Sequence, residues 1–129
     1  MNELLKIAIK VENEEDLIKC LDFEKAQKFE PSQYSLIAKA LSGTWHSQHE
    51  DLVNTIYLDS LKDDVFVNPI LKIALNREIF RCYDDELEST LRKCVHALKM
   101  IDSEKSIDAL KILEKLNNDN VQHVMDMYK

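Results

Sequence analysis

Apolar residues recur every three or four positions along most of the chain, which is the spacing of the buried face of an amphipathic α-helix. The clearest stripe predicts a helix over residues 86–101, with Asp84 and Asp85 just before it as capping residues. A second stripe predicts a helix over residues 107–116 that completes a helical hairpin. A short helix over residues 119–128 follows and covers the end of the core.

The sequence upstream of this hairpin predicts further helices. Ser47 and Glu50 have the S-x-x-E spacing of a capping box, and the apolar stripe that follows places Tyr57 on the buried face of its helix. The next helix starts at residue 64 or at residue 68, where a proline occupies its first turn.

The N-terminal third follows the same pattern less regularly. The only glycine, Gly43, stands where a helix that begins after Pro31 should end. Asn13 precedes another short apolar stripe and is its predicted cap. Residues 4–11 fit either a helix or a strand.

The chain also repeats itself when it is shifted by 40 residues. The shift pairs apolar positions across two helices and the acidic turn between them: Leu58 with Leu98, Leu61 with Ile101, Val67 with Ile107, Ile70 with Leu110, and Ile73 with Leu113. This period is typical of HEAT and armadillo repeats and predicts an α-solenoid. A generic helical bundle is the alternative.

Composition narrows the fold class. The chain has 129 residues, of which 45% are hydrophobic, with one glycine and two prolines. Rossmann and Walker A loops each need at least two glycines, and an all-β fold needs several tight turns, so both are disfavoured. We predict an all-α fold, a short HEAT-like α-solenoid of antiparallel helical hairpins. Residues 1–129 form one domain, with N-terminal helices over 1–44 and HEAT-like repeats over 45–128.

Charge and cysteine content limit the partners and the compartment. The net charge of −7 predicts no nucleic-acid partner and no membrane partner, and it favours a basic protein, although it also serves solubility. Cys20, Cys82 and Cys94 lack C-x-x-C spacing and predict neither a disulfide framework nor a zinc site. With no recognisable signal segment or membrane span, a cytoplasmic location is expected.

Four segments resemble small bacterial HEAT-repeat proteins: residues 45–52 (WHSQHEDL), 83–85 (YDD), 92–94 (RKC) and 97–101 (ALKMI). The resemblance covers residues 45–128, about two thirds of the chain. Some proteins of this kind are encoded beside secreted polymorphic toxins and act as their immunity proteins, including those of contact-dependent growth inhibition systems. The resemblance therefore implies a binding protein that neutralises a toxin.

One segment has metal-like spacing. His46 and His49 lie in an H-x-x-H-E sequence, which differs from the H-E-x-x-H motif of zinc proteases. The two histidines could share a metal only if a third ligand came from elsewhere, such as Asp84 or Asp85. Helix capping by Ser47 and its neighbours, with a packed tryptophan outside the helix, explains the segment without a metal.

An acidic patch, formed by Asp84, Asp85, Glu86 and Glu88 beside Tyr83, has three interpretations. Paired carboxylates can act as an acid and a base, a helix start attracts carboxylates, and carboxylates beside an aromatic ring can bind a basic partner. Helix capping or solvation is favoured over catalysis.

We therefore predict a non-enzymatic immunity protein, without cofactor or metal, that occludes a toxin with a basic surface, plausibly a nuclease. A non-inhibitory adaptor for protein–protein interactions is the alternative, and a metal-dependent enzyme built on His46 and His49 is the third hypothesis. The expected partner-binding residues are Trp45, His49, Glu50, Tyr83, Asp84, Asp85 and Glu88.

Overall fold

In a computed structural model of the protein, the described residues are 2–21, 28–80 and 88–128. This part of the chain contains α-helices, short 3₁₀ turns over Pro31–Gln33 and Asp64–Phe66, and no strand. The helices are α1 (Asn2–Lys10), α2 (Glu14–Cys20), α3 (Tyr34–Ser42), α4 (His49–Leu58), α5 (Val67–Leu75), α6 (Ser89–Ile101), α7 (Glu104–Glu114) and α8 (Asp119–Asp126). The predicted all-α class is confirmed, and of residues 4–11, which fitted either a helix or a strand, all but the last lie in helix α1.

The helices pack in two rows. In one row α1 packs against α3, α3 against α5, and α5 against α7. In the other row α4 packs against α6, and α6 against α8, while α2 pairs with α1. Successive helices from α3 to α8 thus alternate between the rows.

Helices α4 and α6 run in the same direction. Near the start of both helices, Glu50 of α4 contacts Ser89 and Lys93 of α6. Nearer their C-terminal ends, the ring of Tyr57 lies 5.3 Å from that of His96. The turns that follow α4 and α6 therefore lie at the same end of the molecule.

The 40-residue shift also relates the helix starts. Helix α4 begins at His49 and α6 at Ser89, while the 3₁₀ turn that leads into α5 begins at Asp64 and α7 at Glu104. Three of the five predicted pairs are buried on both sides: Leu61 with Ile101, Ile70 with Leu110, and Ile73 with Leu113. Leu58 and Ile107 are exposed instead, because Leu58 ends α4 and Ile107 lies in the last helix of its row.

The core lies between the two rows and is built from the predicted apolar stripes. The largest side chains with less than 2% of their surface exposed are Leu5, Leu17, Ile37, Leu41, Leu52, Ile56, Phe66, Ile70, Ile73, Leu91 and Leu98, joined by Leu61 at 2%. None of the described helices is both long and apolar enough to cross a membrane.

Several helix boundaries use left-handed backbone without glycine. Positive φ angles occur at Glu12, Ser60, Glu88, Asp102 and Asn117, each of them next to a helix end. Glu88 is the N-cap residue of α6, which begins at Ser89, while the predicted start at residue 86 and its caps Asp84 and Asp85 lie outside the described residues. The predicted cap Asn13 has extended backbone and accepts a hydrogen bond from a helix amide, and Ser103 and Asn118 do the same at the starts of α7 and α8.

Candidate functional site

The paired histidines lie inside the protein. His46 and His49 have no exposed surface, and their rings stack with centroids 4.2 Å apart. Trp45 meets the ring of His46 edge-on at 4.5 Å, and Phe80 packs on the ring of His49 at 4.8 Å. These four rings form one stack at the start of α4. His49, a predicted partner contact, does not reach the protein surface.

Carbonyl groups at the end of α3 hold both imidazoles. Nε2 of His46 donates to the Ala40 carbonyl oxygen, and Nε2 of His49 donates to that of Gly43, both at 2.7 Å. Nδ1 of His46 accepts the amide of Gln48 at 2.9 Å. Because a carbonyl oxygen only accepts, each Nε2 carries a proton and cannot bind a metal in this arrangement. Within the described ranges, no group of three or more metal-ligating side chains is assembled.

The indole ring of Trp45 leaves no room for a side chain at Gly43. It ends α3 as predicted, but its φ of −77° is accessible to any residue. A Cβ atom at this position would lie only 2.5 Å from Nε1 of Trp45, a half-buried side chain. Glycine therefore lets the tryptophan close over the start of the ring stack.

The predicted capping box at the start of α4 is wrong. Gln48 is the N-cap residue, and its side chain makes no capping hydrogen bond. The amide and hydroxyl of Ser47 instead donate to Glu14 Oε2 at 2.9 and 2.8 Å, and Gln48 Nε2 donates to the same oxygen at 2.9 Å. Glu14 thus ties the first turn of α2 to the entry of α4.

These donors stabilise the charged form of Glu14. The hydrogen bond from the Gln48 side chain and the two from Ser47 lower the pKa of its carboxyl to about 2, against a slight opposing effect of burial. A carboxylate with a lower pKa in the folded state stabilises that state above the pKa of the unfolded chain. This stabilisation is lost as the pH falls from about 4.5 toward 2.

We expect Glu14→Gln to lower the free energy of unfolding by about 1 kcal/mol at pH 6, a value reduced to allow for the partial exposure of this side chain. The difference from the unmodified protein should shrink as the pH falls from about 4.5 toward 2, because the carboxyl is then protonated first in the unfolded chain and finally in the folded protein. Urea denaturation at four pH values measures it, with Glu15→Gln on the exposed side of α2 as the matched control. A difference that does not change with pH would contradict this role.

Glu50 faces α6 rather than its own helix start. Its Oε1 accepts the Ser89 hydroxyl and lies 2.9 Å from the Lys93 ammonium. Burial raises the pKa of the Glu50 carboxyl, but the Ser89 hydrogen bond and the Lys93 charge together hold it below its ordinary value. Both side chains of the ion pair are about one third exposed, so the pair contributes modestly to stability.

Glu88 joins three parts of the chain. Its Oε1 accepts Nη2 of Arg77 at 3.0 Å, and its Oε2 accepts the side-chain amides of Asn118 at 2.9 Å and Asn120 at 3.3 Å. Arg77 also donates to the Ala74 carbonyl at the end of α5. Because Asn118 is the N-cap of α8, Glu88 fixes the end of α5 and the start of α8 beside α6.

The other predicted partner contacts divide into two groups. Tyr83, Asp84 and Asp85 lie outside the described residues, so their proposed role stays a prediction. Trp45, like Glu50 and Glu88, is partly exposed and engaged in the intramolecular contacts given above.

A second cluster, not selected from the sequence, lies on the outer face of the α4–α6–α8 row. The Tyr128 hydroxyl is hydrogen-bonded to Nδ1 of His96 at 2.6 Å, and the ring of His96 lies 5.3 Å from that of Tyr57. Tyr128 is 42% exposed, and its chain neighbour Met127 and the last residue of α4, Leu58, are each 59% exposed. We call these five residues the outer cluster.

Electrostatics keep the outer cluster neutral near pH 7. Burial, with the nearby Arg92 guanidinium, lowers the pKa of His96 below its ordinary value of 6.5 and favours the neutral imidazole. Burial raises the pKa of Tyr128 to about 12, and its hydrogen bond and charge interaction with Tyr57 add to the shift. The Lys99 ammonium lies 5.2 Å from the centroid of the Tyr128 ring.

Acidic turns lie at the same end of the row as Leu58. Asp63 and Asp64 are in the turn after α4, and Asp102 and Glu104 are at the turn after α6; all four are exposed. The parallel course of α4 and α6 brings these turns to one end of the molecule. The last exposed residues of α4 are thus followed by a carboxylate-rich edge.

The comparisons with known proteins add no relative to this picture. No protein-family model matches the chain, and no curated protein or solved structure is significantly similar to it.

Proposed function

We propose that this chain is a cytoplasmic immunity protein that binds a toxin with a basic surface and blocks it without catalysis. The observation that carries the proposal is the outer cluster, an exposed group of aromatic and aliphatic side chains next to acidic turns. The two rows of packed helices and the resemblance of residues 45–128 to small bacterial HEAT-repeat proteins also support it.

The outer cluster has the composition of a protein–protein interface. Tyrosine and methionine are enriched at interfaces, and a few such anchors supply most of the binding energy when water is excluded around them. The hydrogen bonds among Tyr57, His96 and Tyr128 fix these rings before binding, which lowers the entropy lost on association. Leu58 and Met127 add aliphatic surface that a partner could bury.

Charge favours a basic partner for this surface. The chain carries 24 acidic against 17 basic residues, and the turns after α4 and α6 expose Asp63, Asp64, Asp102 and Glu104. Carboxylates on this edge would attract the phosphate-binding surface of a nuclease and speed its association. Association should therefore slow as salt concentration rises.

The cysteine pattern of the sequence supports a reducing compartment for this proposal. Cys20, Cys82 and Cys94 are odd in number and lack C-x-x-C spacing, which is not the pattern of a disulfide framework. A cytoplasmic inhibitor would meet a toxin after the toxin enters the cell.

Co-expression with the protein encoded by the adjacent gene tests this function. We expect the neighbour to stop growth when expressed alone and this chain to restore it. Leu58→Glu should abolish the rescue, because it places a charge in the outer cluster without disturbing the core. Ile112→Glu, at an exposed position of α7 in the other row, should still rescue.

Two outcomes would count against the proposal. A neighbour that is harmless when expressed alone, although it binds this chain, would indicate the non-inhibitory adaptor. Full rescue by Leu58→Glu would show that the outer cluster is not the contact surface.

A further inference from the structure

We propose that a groove between α3 and α5 binds an acidic amphipathic helix of a partner protein. The groove has a volume of about 430 Å³, within the range of sites that hold several side chains. It lies on the row opposite the outer cluster and does not depend on the immunity function proposed above.

The lining of the groove combines an apolar surface with polar edges. Pro69, Leu71 and Leu75 supply the apolar part, while Ser42 and Asn68 supply polar groups. Leu75 is 44% exposed although its helix is otherwise the most apolar part of this row. Leu71 and Leu75 are four residues apart and lie on the same face of α5, as a docking surface for a second helix requires.

Charge selects the kind of helix that fits. Lysines are the only charged residues within α3 and α5, one in each helix: Lys39 and Lys72. Both are exposed, and Lys72 lines the groove. Although the chain has a net charge of −7, neither helix contains a carboxylate. Asp63 and Asp64 lie near the start of both helices, at the opposite end of α5 from Leu75. A helix with leucines on one face and glutamates beside them would bury the leucines and pair its carboxylates with the lysines.

The side chain of Asn76 leaves the groove open at the end of α5. Its Nδ2 donates to the Lys72 carbonyl oxygen at 2.9 Å, which satisfies a carbonyl in the last turn of α5. The amide is therefore directed to its own helix, and the lysine ammonium remains the charged group at the edge of the groove.

Nuclear magnetic resonance titration tests this site. The probe is an amidated peptide of about 14 residues with leucines at helical spacing and glutamates between them. We expect saturable shifts at the backbone amides of α3 and α5, with roughly tenfold weaker binding to Lys72→Glu. Lys105→Glu, on an exposed position of α7, is the matched control and should bind the peptide as the unmodified protein does.

Three results would overturn the proposal. The first is the absence of shifts in α3 and α5, and the second is equal binding of a peptide with lysines in place of the glutamates. The third is a dimer in sedimentation that Leu75→Glu dissociates, because the groove would then be covered by a second copy of the chain. Leu58→Glu should leave peptide binding unchanged, which separates this groove from the outer cluster.

Discussion

Replacement of His49 by alanine is expected to lower the free energy of unfolding by about 3 kcal/mol. The substitution removes a fully buried ring that lies between the rings of His46 and Phe80. It also removes the Nε2 donor of the Gly43 carbonyl and leaves a cavity at the start of α4. Urea denaturation at pH 7.5 measures the loss.

Two further variants separate the contributions to this effect. His49→Phe keeps the ring area but loses the hydrogen bond, and it should cost about 1 kcal/mol. His123→Ala, at an exposed position of α8, should change the stability by less than about 0.5 kcal/mol. If His49→Ala kept the stability of the unmodified protein but lost partner binding, His49 would be a contact residue, as the sequence had suggested.

Glu88→Ala is expected to lower the free energy of unfolding by about 2 kcal/mol. The carboxylate accepts hydrogen bonds from Arg77, Asn118 and Asn120, and the Arg77 and Glu88 side chains are only about one quarter exposed. Its removal leaves a half-buried guanidinium without this partner and loosens the N-cap of α8. Thermal unfolding followed by circular dichroism measures the loss.

Glu78, which follows Arg77 in the chain, provides the matched control. Glu78→Ala, at an exposed position, should be within about 0.5 kcal/mol of the unmodified protein. Glu88→Gln keeps an acceptor for the asparagines and should lose about half as much stability as Glu88→Ala. Equal stability of Glu88→Ala and Glu78→Ala would show that the contacts of Glu88 contribute nothing to folding.

The fold class could be predicted because helical spacing records which side chains are buried. The stripes that contain Leu52, Leu91 and Leu110 each became a buried helix face. The 40-residue shift paired apolar positions of the sequence, and in the structure α4 and α6 also begin 40 residues apart, at His49 and Ser89. Exposed apolar residues such as Ile18 were not distinguished, because periodicity alone does not show how many neighbours cover a helix.

The start of α4 shows why the capping box predicted from the sequence is wrong. The S-x-x-E spacing predicted that Ser47 and Glu50 would bond to each other's backbone. Ser47 instead bonds to Glu14, 33 residues away in the chain, and Glu50 to Ser89, 39 residues away. A charged acceptor from another helix is a stronger partner than a local backbone amide, and one sequence does not show which helices will meet.

The candidate site was harder to predict than the fold. The spacing of His46 and His49 raised the possibility of a shared metal, but in the structure both rings are buried and stacked on each other. No role was predicted for His96 from the sequence, because its partner Tyr128 is 32 residues away in the chain, just beyond the end of α8. Tyr57 was assigned to the buried face and is half-buried in the structure, with its ring beside that of His96.

The non-glycine residues with left-handed backbone at the helix ends affect which substitutions can stabilise this protein. An L-residue in that conformation costs about 1 kcal/mol relative to glycine, and five such residues mark helix boundaries in the described chain. Each is one substitution away from a less strained backbone. Stability lost when an interface adapts to a new partner could thus be recovered at Glu12 or Asn117, which belong neither to the outer cluster nor to the acidic turns after α4 and α6.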